Sequence, residues 1–113
     1  YGDTLRELDY HVNQTYQLLQ ELGILNQTLL IFTSDNGPWS SKCDLAGSTG
    51  PFGGVWQVLP RPYGGGGGGT AKFTTWEAGH LVPFIAHWPG MIPGGRVSSA
   101  IGSHLDIMPT IAN

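Results

Sequence analysis

The apolar run Leu29-Leu30-Ile31-Phe32 passes through Thr33 directly into Ser34-Asp35-Asn36-Gly37. This junction constrains the fold more than any other stretch. A short, solid apolar run bounded by turn residues predicts a strand over 29–33 that is buried on both faces. In α/β proteins, polar side chains at the carboxyl end of such a strand stand at the mouth of the sheet. Asp35 and Asn36 then offer a carboxylate and an amide oxygen side by side, hard donors suited to Ca²⁺ or, less well, Mg²⁺. The same residue types also make ordinary tight turns, so on these four residues alone both readings stand.

The flanking patterns fit an α/β chain. Leu5, Leu8, Val12, Leu19 and Leu22 fall on one face of an expected helix over 4–22, which predicts a core-facing stripe. Thr4 and Glu7 have capping-box spacing, and Gly23 stands where a left-handed C-terminal cap is favoured. Helix, short loop and strand make half of a βαβ unit. Residues 34–80 hold most of the glycines and little periodicity, the signature of a functional loop system or a disordered one. Within them the six-glycine run Gly64 to Gly69 reads as a flexible tether or loop expansion. It is no P-loop, because Ala71 rather than Gly precedes Lys72. A second strand is expected over 82–88, with Pro83 near its start. Asp106 is expected to cap a helix that begins at Ile107, with Pro109 inside its first turn.

Composition narrows the function classes. Charged residues make up 12% of 113, against about 25% in an ordinary soluble domain, as expected of interior segments of a larger α/β protein. The start at Tyr1 and the end at Asn113 fit the same expectation of a partial domain over 1–113. A net charge of −3 without a basic run favours neither nucleic acid nor an anionic membrane, and no apolar run is long enough to span a bilayer. Cys43 is the only cysteine; it is a free thiol or pairs outside this chain. Asn13-Gln14-Thr15 and Asn26-Gln27-Thr28 match the N-glycosylation acceptor pattern, which makes Asn13 and Asn26 candidate sites and tilts the chain toward the secretory pathway.

A second cluster of usable chemistry runs from Lys72 to Pro83. Lys72 is a point charge suited to a tetrahedral oxyanion, although most lysines are simply solvated. Glu77 can orient Lys72 or make a local structural hydrogen bond. His80 can donate a proton, bind substrate or serve as a structural histidine. His11 on the expected helix, His87 in the expected strand and His104, which has no partner at ligand spacing, carry no functional expectation.

Taken in order, several blocks resemble the sulfatase family, and within it the arylsulfatase A and G branch. They are Ile31 through Gly37, Asp44 through Phe52, Lys72 through Pro83, Trp88-Pro89-Gly90 and Leu105 through Thr110. The resemblance implies an alkaline-phosphatase-like α/β fold and hydrolysis of sulfuric esters by a formylglycine nucleophile. It also implies a Ca²⁺ that binds the sulfate, and a lysosomal or secreted protein. By that pattern Asp35 and Asn36 are calcium ligands, and Lys72 contacts the sulfate oxygens as a catalytic and substrate-binding residue. We add His80 as a candidate substrate contact.

The chain also departs from the family pattern. The Cys-or-Ser-x-Pro-x-Arg signature that yields formylglycine is absent, as are the paired aspartates that complete the calcium site. Ala78 stands where the family usually has Gly, and Leu81 where it usually has Arg. Two alternatives therefore accompany the sulfatase expectation. One is a phosphoesterase or phosphonate hydrolase of the same superfold. The other is a catalytically inactive sulfatase-like protein.

Overall fold

The computed structural model describes residues 1–39, 42, 45–47, 72, 75 and 77–113. The glycine run 64–69, Cys43 and most of the 44–52 block lie outside these residues. The described elements are helix α1 (Gly2–Glu21), a 3₁₀ turn (Leu25–Gln27), strand β1 (Leu30–Thr33), the short helix α2 (Glu77–His80), strand β2 (Phe84–His87) and helix α3 (His104–Ala112).

Helix α1 starts earlier than its Thr4-x-x-Glu7 pattern predicts. Tyr1 is the N-cap and makes no side-chain cap bond; the Leu5 N–H donates to the Tyr1 carbonyl at 3.0 Å. Asp3 in the first turn favours this earlier start by complementing the positive end of the helix dipole, and Thr4 and Glu7 become interior residues. The C-terminus follows expectation. Gly23 has φ +69°, Gly23 N–H donates to the Gln20 carbonyl at 3.0 Å and Ile24 N–H to that of Leu19 at 3.1 Å. This pair of bonds is the Schellman motif, which only a residue tolerant of positive φ closes without strain.

Strands β1 and β2 pair antiparallel, with Leu30 opposite His87 and Thr33 opposite Phe84. The Trp88 indole N–H donates to the Asn26 carbonyl at 3.0 Å and ties the end of β2 to the turn before β1. A parallel partner that would complete a βαβ unit is not among the described residues. All four β1 residues are half-buried, not buried on both faces as expected, because among the described residues β1 belongs to a two-stranded ribbon. The leucine stripe of α1 is likewise not core: Leu5, Leu8 and Val12 are each 44–45% exposed. A ribbon this small lacks the surface to cover a helix face, and such a ribbon is marginal without further layers. Among the described residues the single buried hydrophobic side chain is Ala78.

Helix α3 begins at His104, three residues ahead of the expected start. Ser103, not Asp106, is its N-cap: the Ser103 hydroxyl accepts from Leu105 N–H at 3.2 Å, and the Asp106 carboxylate accepts from Ser103 N–H at 2.7 Å. Asp106 closes a capping box from inside the first turn. Pro109 consequently lies within the helix, where it forfeits one backbone hydrogen bond.

Candidate active site

The turn leaving β1 is organised from within. The Ser34 hydroxyl donates to the Asn36 carbonyl at 3.1 Å, and the Asn36 side-chain N–H donates to the Gly37 carbonyl at 2.9 Å. With its nitrogen engaged, Asn36 keeps its amide oxygen for another partner. Asp35 is exposed and Asn36 half-buried, so carboxylate and amide oxygen are presented from adjacent positions of one braced turn. This donor chemistry fits a hard cation, but it is two of the six to eight oxygens that Ca²⁺ takes. Among the described residues no three His, Cys, Asp or Glu side chains gather at one point.

Gly37 locks this turn onto α2. Its N–H donates to the Gly79 carbonyl at 2.7 Å, and it is buried. A Cβ at Gly37 would stand 1.8 Å from the Ala78 carbonyl oxygen. Glycine is needed here for space, a reason that its place among turn residues does not disclose. Ala78 itself is buried on the helical backbone of α2, so the departure from Gly at this position carries no positive-φ penalty.

Lys72 reaches the same place from far along the chain. Its N–H donates to the Pro38 carbonyl at 3.1 Å, two residues past Asn36, and Lys72 is half-buried. The Lys72 ammonium lies 5.9 Å from the centroid of the Trp39 ring. The structure thus brings together Asp35, Asn36, Gly37 and the Lys72 backbone. His80 closes α2 as an exposed residue, and Leu81, 51% exposed, follows it. Asn13 and Asn26 are exposed, on α1 and in the 3₁₀ turn.

Sequence reading gave His104 no partner. In the structure its Nε2 lies 3.3 Å from the Thr33 hydroxyl, so the first residue of α3 meets the last residue of β1, one position before the Asp35 turn. No local signal reveals a contact across 71 positions. The ring of His87 lies against that of Tyr16, with centroids 5.6 Å apart, which gives it a structural place between β2 and α1. Among the described residues no helix is long and apolar enough to cross a membrane.

Comparison with known proteins bears on the chain as a whole. The sulfatase family model matches residues 1–113. The chain is 50% identical to canine (Canis lupus familiaris) arylsulfatase G over 98% of its own length and 19% of the relative's. It is 48% identical to human (Homo sapiens) arylsulfatase G over 98% of its own length and 20% of the relative's. Canine N-acetylgalactosamine-6-sulfatase is 41% identical over 97% of the chain and 18% of that protein. No solved structure matches. The chain spans about a fifth of the length of these curated relatives. Since the sulfatase family model matches this chain over residues 1–113, the chain belongs to the sulfatase family.

Proposed function

We infer that this chain supplies part of the active site of a sulfuric ester hydrolase with the alkaline-phosphatase-like α/β fold. Asp35 and Asn36 serve as calcium ligands and Lys72 as the sulfate contact. The observation that supports this reading is the Lys72–Pro38 backbone bond of 3.1 Å, which brings the Lys72 main chain back beside the turn that bears Asp35 and Asn36. Ca²⁺, when bound, neutralises charge on the sulfuryl oxygens. Lys72 adds hydrogen-bond donors and a positive charge where charge develops as the ester bond breaks, usually the largest catalytic contribution. His80 sits at the end of α2, on the same segment, as a further substrate contact. The nucleophile, a formylglycine, is supplied by a segment outside this chain. The likeness to arylsulfatase G and N-acetylgalactosamine-6-sulfatase supports sulfate esters as the substrate class, and the two sequons support a lysosomal or secreted location.

The test is turnover of methylumbelliferyl sulfate by the complete protein that carries this chain, with and without EGTA. We expect turnover that EGTA removes, and a loss in kcat of about 10²–10³-fold for Lys72→Ala, the size of removing one oxyanion donor. Preferential turnover of a phosphonate monoester would instead establish the phosphoesterase alternative. Silence on both substrates from folded protein would establish the inactive one.

A further inference from the structure

Trp39 carries two cations. The Lys42 ammonium lies 4.4 Å from the centroid of its ring, and the Lys72 ammonium 5.9 Å from the same ring. Backbone bonds fasten both lysines to this short segment: Lys42 N–H donates to the Trp39 carbonyl at 2.9 Å and Lys72 N–H to the Pro38 carbonyl at 3.1 Å. Among the described residues neither ammonium is within ion-pair distance of a carboxylate. Like charges gathered this way repel, and the electron-rich indole face offsets part of that repulsion. Lys42 is exposed and Lys72 half-buried, and both gather at Trp39, three residues past Asn36. A bound anion would complete the compensation.

We propose that Trp39 is a positioning residue that holds Lys42 and Lys72 as a pair, and that Lys42 determines specificity by meeting a second anionic group on the substrate. The proposal rests on the sulfatase reading for the identity of the first anion, the sulfate met by Lys72. The second group is a sulfate or carboxylate on the same molecule. A lysine ammonium, compact and on a flexible stem, accepts either geometry where a planar guanidinium would be more selective.

Calorimetry on the complete protein with naphthalene monosulfonate and naphthalene disulfonate, neither of them hydrolysable, tests this without depending on turnover. The disulfonate should bind about fivefold more tightly, the scale of one exposed charge pair. Lys42→Ala should erase that preference and leave monosulfonate affinity within about twofold. Trp39→Ala should weaken both ligands, and Trp39→Phe, which keeps an aromatic face, should retain the preference and control for folding. An unchanged preference in Lys42→Ala, or none in the wild type, overturns the Lys42 role. Unchanged binding in folded Trp39→Ala overturns the positioning role. Turnover of methylumbelliferyl sulfate is scored in parallel: the binding pattern without turnover removes the sulfatase reading and keeps the lysine pair, and turnover without the pattern does the reverse.

Discussion

The Gly37 N–H donates to the Gly79 carbonyl at 2.7 Å, so the turn after β1 and the short helix α2 meet backbone to backbone. Nothing larger than hydrogen fits at Gly37, where a Cβ would fall 1.8 Å from the Ala78 oxygen. Gly37→Ala should therefore force the two segments apart, at about 1–3 kcal/mol or more by analogy with overpacking elsewhere. Urea denaturation of the complete protein measures it. An alanine variant within about 0.5 kcal/mol of wild type, the scatter of neutral surface changes, would show that the two backbones do not touch.

Asp35 and Asn36 should differ in how they tolerate substitution. Asn36→Ala deletes both the amide oxygen and the brace on the Gly37 carbonyl, and Asp35→Ala deletes a formal charge. Each should lower Ca²⁺ affinity by at least about tenfold, since even partners behind the ligands contribute about that much at metal sites. Asn36→Asp keeps an oxygen donor, loses the brace and adds a negative charge, so it should retain Ca²⁺ affinity better than Asn36→Ala. Calcium titration by calorimetry reads all three. Wild-type affinity in Asp35→Ala would remove the carboxylate from the site.

Trp88→Phe keeps a ring at the end of β2 and deletes the indole N–H that donates to the Asn26 carbonyl at 3.0 Å. One such bond contributes about 0.5–1.5 kcal/mol net, and the midpoint of thermal unfolding should fall accordingly. If the midpoint stayed where it was, the strand end would be held by packing rather than by this bond.

The two sequons yield a separate expectation. Asn26 is exposed in the 3₁₀ turn, and its Thr28 hydroxyl donates to the Ile24 carbonyl at 2.9 Å. Asn13 is exposed on α1. Protein expressed through a secretory pathway should carry glycosidase-sensitive mass, and Asn26→Gln should remove one step of it. A mass untouched by glycosidase in the wild type would leave both sequons as plain surface polar residues.

The sequence disclosed what depends on neighbouring residues. Gly23 past the last apolar position announced the end of α1, and Leu29 through Gly37 announced a strand and the turn that leaves it. Helix starts were harder, because a capping pattern need not mark the residue at which the helix begins. Thr4 gave way to a start one turn earlier, and Ser103 took the cap expected of Asp106. What depends on distant residues was not legible: the space shared by Gly37 and Ala78, the reach of His104 to Thr33, and Trp39 beneath two lysines. The leucine stripe of α1 was legible as an apolar face, but among the described residues nothing covers it. A periodic pattern states that a face seeks cover without stating where the cover lies.

The antiparallel register of β1 and β2 has one more consequence. Thr33 stands opposite Phe84, so the chain departs from one end of the ribbon and comes back at that same end, where Lys72 N–H closes on Pro38. The intervening length is a detour that begins and finishes at one point. Lengthening such a detour is inexpensive, about 0.6 kcal/mol for each doubling. The oxygen donors and the lysine are thereby insulated from the size of the insertion between them.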